Sequence, residues 1–220
     1  VRLRTLVARL RDESALVDFT AVRTIVLVGL LAVALAVPVV SLARPANHSI
    51  LASDDFGRSI EQGWGRPNTG GTYRAPNGLR ALSVGGGTGR VLLRAGQRSP
   101  AVVMPRVKAR NVSMQFRFAI DRLPKGDDWV AVYAVLRRTS KDNEYRARAR
   151  VTANGSVWLS IYRLSRGTKT MIGDEVKVQG LRVRPGAYVW LRARIGGAAR
   201  TRIRAMAWSG SGRQPGAWQL

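Results

Sequence analysis

Apolar and polar residues alternate with a period of two through most of the chain after residue 54. In residues 111–120, NVSMQFRFAI, one face collects Val112, Met114, Phe116, Phe118 and Ile120. Tyr145, Ala147, Ala149 and Val151 alternate with Arg146, Arg148 and Arg150, and Val157, Leu159 and Ile161 resume the pattern after Asn154-Gly155. Val189, Leu191, Ala193 and Ile195 alternate with Arg192 and Arg194; Ile203, Ala205 and Ala207 alternate with Arg202 and Arg204. Successive side chains of a strand point to opposite faces, so each run predicts a half-buried strand with its apolar row inward. The denser run DDWVAVYAVLRR, residues 127–138, predicts a strand covered on both faces. Between the runs stand GGGTG, LPKGDD, RPG and IGGAA, all turn chemistry, and Asn-Gly favours a tight hairpin. Eight or more short strands without a helical period predict an all-β, two-sheet antiparallel sandwich or jelly roll.

The front of the chain follows another rule. Residues 24–43, TIVLVGLLAVALAVPVVSLA, contain no charge. As a helix they would cross a hydrocarbon core of about 30 Å. Arg2, Arg4, Arg9, Arg11 and Arg23 precede the segment, which orients its N-terminal side to the cytoplasm. The expected organisation is a basic cytoplasmic segment at 1–23, a transmembrane anchor at 24–43, a linker at 44–53 and an extracytoplasmic β-domain at 54–220. Pro38 and the small residues of Ser41-Leu42-Ala43 keep a second reading open, a signal peptide cleaved near Ala43 and a secreted domain. Leu3, Leu6, Val7 and Leu10 fall at helical spacing among arginines, which predicts a short basic amphipathic helix on the inner leaflet. A disordered tail is the alternative.

The net charge is +24, from 37 Lys and Arg against 13 Asp and Glu. Such a chain attracts phosphate polymers, acidic glycans or anionic lipid. A GC-rich coding sequence that writes arginine at solvated positions is the plain alternative. There is no cysteine, which removes disulfides and Cys-based metal sites. His48 is the single histidine and borders the apolar segment, so no Ser-His-Asp or Cys-His device fits the β-domain.

DDFGRSIEQGWGRPNTGGTY at residues 54–73, then LSVGGGTGRVLL, resembles the opening of a concanavalin A-like (laminin G-like) jelly-roll domain of actinobacterial secreted or surface proteins and phage-tail proteins. EYRARARVTANGSVWLSIYRL, YVWLRARIGG and TRIRAMAWSGSGRQPGAW continue it in order, so the resemblance covers residues 54–219. It implies the fold more firmly than an activity, since this fold carries lectins, glycanases and inert spacers. It also implies a structural role for Trp64, Tyr73, Trp208 and Trp218. Members of the family usually continue past the final Trp with another strand that pairs beside the first; this chain stops at Leu220.

Glycanases of this fold need clustered carboxylates on one strand. Asp174 and Glu175 are adjacent and would point to opposite faces, and no strand-spaced set exists elsewhere, so an enzyme is not expected. No cofactor is expected either. Calcium is the one option held open, with Asp54, Asp55, Asp127, Asp128 and Asp142 as candidate oxygen donors. GGGTG at 85–89 lacks the Lys-Ser/Thr and the following helix of a phosphate loop and reads as a hairpin turn.

If the Val157, Leu159 and Ile161 row faces the core, Trp158 and Tyr162 stand outside beside Arg146, Arg148 and Arg150, while Trp190 shares a face with Arg192 and Arg194. Aromatic rings beside guanidinium groups suit an acidic or phosphorylated glycan. With few acids nearby, the arginine rows are expected to repel one another, and trimming Arg148 and Arg192 is expected to leave the fold intact or slightly firmer. The functional expectation is a non-catalytic, membrane-anchored cell-surface module on anionic envelope polysaccharide, with no nucleic acid partner. The alternatives are a structural or protein-interaction domain without a glycan ligand and, further off, a glycanase-type hydrolase.

Overall fold

The computed structural model describes residues 2–9, 49–94 and 99–220. The expected membrane segment at 24–43 lies outside the described residues, and so does most of the expected cytoplasmic segment. No helix among the described residues is long and apolar enough to cross a membrane.

The described chain is all-β. In order, the strands are β1 (Arg2–Arg9), β2 (Ile50–Asp54), β3 (Arg74–Asn77), β4 (Leu82–Val84), β5 (Gly89–Val91), β6 (Ala101–Val103) and β7 (Val112–Ala119). They continue with β8 (Trp129–Ser140), β9 (Asn143–Thr152), β10 (Ser156–Ser165), β11 (Thr168–Arg182), β12 (Val189–Gly196) and β13 (Arg202–Ser209). One sheet runs β13-β12-β7-β1-β5-β4 with β2 also paired to β1; a second runs β11-β10-β9-β8; β3 and β6 form a small ribbon. All the strand pairings are antiparallel.

The two large sheets face each other through the rows that the alternation selected. Phe116, Phe118, Val189, Leu191, Ala193 and Ile195 of the larger sheet are buried, as are Ala147, Ala149, Val151, Val157, Leu159 and Ile161 of the smaller. Each fully buried Phe, Leu or Ile contributes about 1.5–3 kcal/mol by leaving water. Small residues matter equally: Ala147, Ala149, Ala193, Ala205 and Ala207 are wholly buried and let the sheets approach closely. The turns follow their residues. Gly86 and Gly87, at φ 60 and 65, turn β4 into β5, and Gly155, at φ 77, turns β9 into β10. A Cβ at Gly155 would meet the Val183 carbonyl oxygen at 2.5 Å.

The first strands close around DDFGR. Arg58 holds both carboxylate oxygens of Asp54, at 2.7 and 2.8 Å, and also donates to the Trp64 carbonyl. Phe56, Trp64 and Tyr73 then meet edge to face, with centroids 5.3 and 5.4 Å apart, so Trp64 and Tyr73, two of the four aromatics given a structural role above, are core.

Two expectations change, and one strand was not anticipated. Residues 2–9 form strand β1, paired with β7 on one side and β2 and β5 on the other, where the Leu and Val spacing predicted a helix. The same Leu3, Leu6 and Val7 suit either period over so short a run, and sheet pairing decides. β11 carried no clear alternation: it is an edge strand, mostly exposed, interrupted by Gly173 and Gly180 at φ 67 and 72. β8 was expected to be covered on both faces, yet Trp129 is 51% exposed and only Ala134 and Leu136 are fully buried.

Candidate functional site

The outer face of the four-stranded sheet is a ladder of alternating cations and aromatic rings. Because Val157, Leu159 and Ile161 point inward, Trp158, Ser160 and Tyr162 must point out, and β9 sets Arg150, Arg148 and Arg146 directly opposite them. From β8, Trp129 and Tyr133 flank the same arginines. From β11, Lys177 lies opposite Trp158, and Lys169 stands near the far end.

Every arginine of the row lies over a ring. Arg150 sits 5.4 Å from the Trp158 centroid, Arg148 4.8 Å from Tyr162 and 5.6 Å from Trp129, and Arg146 5.8 Å from Tyr133. Lys169 lies 4.2 Å from Tyr162 and Lys177 5.9 Å from Trp158. Such contacts are worth about 0.5–1 kcal/mol at exposed sites and more when desolvated.

The expected like-charge repulsion is relieved from within. Glu175 accepts from Arg148 Nη2 at 2.8 Å and from Arg150 Nε at 3.0 Å, and Arg150 Nη2 closes a fork on its second oxygen. Glu144, buried on the same face, takes Arg146 and lies 3.5 Å from Arg138. Burial alone would raise the Glu175 carboxyl, but Arg150 and Arg148 outweigh it and hold it below its ordinary value. Burial, with Arg148 and Arg146 nearby, pulls the Lys169 ammonium below its own.

Arg148 is therefore no free surface group. It is 9% exposed, walled by Tyr162 and Trp129, and tied to Ser160 at 2.9 Å and to Glu175. Its removal would strand Ser160 and leave Glu175 with one partner, which reverses the expectation that trimming it is harmless.

The remaining candidates stand elsewhere. Trp190, Arg192 and Arg194 lie on β12, on the outer face of the other sheet, so the two groups look out from opposite sides of the sandwich. There Trp190 stacks on Trp208 at 5.9 Å and Arg117 covers it at 5.7 Å. Arg192 reaches Ser113 and Gln214, each at 3.2 Å, and lies over Trp218. That second cluster binds the chain's own last residues to the sheet.

The acidic candidates do not gather. Both oxygens of Asp54 are taken by Arg58; Asp55 Oδ1 accepts the Gly57 backbone N–H, and the Asp55 backbone N–H donates to Asn68 Oδ1. Among the described residues no three of His, Cys, Asp and Glu stand close enough to hold a metal ion. Asp127, Asp128 and Asp142 belong to the turns that precede β8 and β9.

Glu175, Lys169, Lys177, Trp129 and Tyr133 complete the face but were not singled out beforehand. The signal available for β11 was Arg166-Gly167, at φ 49 and 82, which is hairpin chemistry and would have paired residues 168–182 with β10. No protein-family model, no curated protein and no solved structure matches this chain.

Proposed function

We propose that the chain is a non-catalytic surface module of the concanavalin A-like jelly-roll type, anchored by residues 24–43, whose four-stranded sheet binds an anionic polysaccharide. The observation that supports this reading is the ladder. Arg146, Arg148, Arg150, Lys169 and Lys177 present five cations against the two carboxylates Glu144 and Glu175, interleaved with Trp129, Tyr133, Trp158 and Tyr162. A chain of sugars with acidic substituents presents both ring faces and carboxylate or phosphate groups, which match rings and guanidinium forks respectively. Exposed Trp129 offers the most open ring.

The test compares polygalacturonate with neutral dextran on the full chain at low and at physiological salt. Binding to the acidic polymer alone, weakened by salt, is the expected result. Lys169→Gln with Lys177→Gln removes two cations that hold no carboxylate partner and should weaken binding about tenfold, each lost charge contact being worth about 1.5 kcal/mol or less at this exposure. Equal binding of both polymers, or of parent and variant, overturns the reading.

One observation favours a second reading, a structural or interaction domain without a glycan ligand. Trp158 already lies under Arg150 and Lys177, and Tyr162 under Arg148 and Lys169, so the ladder satisfies much of itself. Absence of any polyanion binding at low salt would leave that reading standing.

A further inference from the structure

The two ends of the sandwich differ in charge. The end at which the chain enters from residue 49 can be traced across both sheets. β1 sets Arg9 opposite Ile50 of β2 and Ser113 of β7, and β12 sets Ile195 opposite Val112. Arg137 of β8 reaches across to the Arg110 and Gly197 carbonyls and to Thr201. On the smaller sheet the Gly167 N–H donates to the Asp142 carbonyl at 3.2 Å, and the Arg166 N–H to Asn143 Oδ1 at 3.1 Å. Segments 107–111, 137–143, 165–168 and 196–201 therefore form one rim.

That rim is cationic. Lys108, Arg110, Lys141, Arg166 and Arg200 are exposed, and among the described residues none of them has an ion pair or a side-chain hydrogen bond. Asp142 is the single acidic residue in the four segments. At the same end the apolar side chain of Ile50 is 54% exposed. The opposite end is built from segments 120–128, 153–155 and 183–188, where the Gly186 N–H donates to the Ile120 carbonyl and the Val183 N–H to the Gly155 carbonyl. It is balanced, with Asp121, Asp127 and Asp128 against Arg122, Lys125 and Arg184.

We propose, resting on the anchored reading of residues 24–43, that the rim is a docking surface for an anionic bilayer on which the sandwich stands end-on. Residues 44–49 alone then separate the bilayer from Ile50, and even fully extended they span only about 20 Å. The opposite end lies a further eight-residue strand away, about 26 Å, so the entry end is the one held near the leaflet. Negatively charged headgroups complement cations that have no partners of their own, and each Lys or Arg beside an anionic leaflet strengthens binding about fivefold. Ser53, tied to Thr69 by two backbone hydrogen bonds, and Asp54, clasped by Arg58, keep the entry in place when β1 is absent. A sandwich standing so runs its strands along the bilayer normal, which leaves the outer ladder open to a polymer.

The test reconstitutes the full chain in vesicles of phosphatidylcholine alone and of phosphatidylcholine with about one-third phosphatidylglycerol. Because the sequence has no cysteine, a single Ala199→Cys on the rim or Ala187→Cys at the opposite end takes a dye, and energy transfer to an acceptor lipid reports its height. Transfer from residue 199 should rise in the anionic vesicles and fall back in high salt, while transfer from residue 187 should not rise. Lys108→Gln, Arg110→Gln, Lys141→Gln and Arg200→Gln together should abolish the rise, whereas Arg122→Gln with Lys125→Gln should preserve it. Equal transfer from residue 199 in the two kinds of vesicle, or a rise that survives the fourfold variant, overturns the proposal. Failure of the anchor looks different, since the parent chain is then washed from phosphatidylcholine vesicles. In that event sedimentation with the anionic vesicles decides: the fourfold variant should bind at least about a hundredfold more weakly, and equal binding again overturns the proposal. Polygalacturonate binding by the outer ladder is measured without vesicles and stands or falls by itself. Circular dichroism of each variant confirms that the sheets remain folded.

Discussion

Asp54 and Arg58 clasp each other four residues apart, two oxygens to two nitrogens, with the side chain of Asp54 fully buried. Asp54 Oδ1 also accepts the Phe56 backbone N–H at 2.9 Å, and Phe56 sits between the pair at φ 59, an uncommon conformation for a large residue. The clasp holds Phe56 in the left-handed region while its ring fills the core against Trp64. Asp54→Ala should therefore cost about 3 kcal/mol or more, because it releases the turn and leaves Arg58 half-buried without its partner. Urea unfolding at neutral pH measures it, and a loss below about 1 kcal/mol would show that the clasp is incidental.

Arg137 joins the two sheets. At φ 47 it forms the bulge at the end of β8. Its guanidinium donates to the carbonyls of Arg110 and Gly197, at 2.6 and 2.7 Å, and to Thr201 Oγ1 at 2.9 Å. Arg137→Gly and Arg137→Ala both lose these bonds, but glycine is at ease at positive φ and alanine is not. The alanine variant should unfold at lower denaturant than the glycine variant, by about 1 kcal/mol. Equal midpoints would mean that the bulge relaxes when the staple is cut.

Glu175 gives the fold an acid-sensitive joint. Its folded pKa lies below the ordinary 4.5, so its contribution is full above that value and drains away as the pH falls further. Glu175→Gln should be less stable than the parent at pH 7, and the gap should shrink as the pH falls below 4.5. A gap that persists in acid would place the effect in packing and not in charge.

Ala147 and Ala149 lie under the opposite sheet with no exposed surface. Ala147→Asp should abolish folding, since it buries a carboxylate without a partner. Ala147→Leu should cost about 1–3 kcal/mol by forcing the sheets apart. A folded Ala147→Asp variant, seen by circular dichroism and thermal melting, would mean that this face of the sheet is not the core.

The β9 and β10 rows were legible because a period of two and an Asn-Gly turn leave one arrangement of inward and outward residues, and Val157, Leu159 and Ile161 confirm it. Arg146, Arg148, Arg150, Trp158 and Tyr162 followed onto one face. Trp190, Arg192 and Arg194 show where that logic stops: alternation tells inside from outside for each strand, but not which sheet the strand joins. Glu175 shows a second limit. Its side was undecidable from Asp174-Glu175 alone, because the register of β11 shifts between its pairings with Trp158 and Ile161. Arg163 shows a third. It obeyed the period perfectly and lies on the inner face, yet it is exposed, and nothing in the pattern says where the core ends.

The pairing of β1 with β2 sets Arg9 opposite Ile50. Residues 9 and 50 thus lie side by side in one sheet, which fixes both ends of the intervening chain at one place. Anything inserted from such a loop into a bilayer has to enter and return on one side. A helix that crosses once would carry its two ends to opposite sides, and β1 could not then reach β7. Docking of the first strand and a single crossing by residues 24–43 therefore exclude each other, and the anchored module proposed above is the state in which β1 has left the sheet.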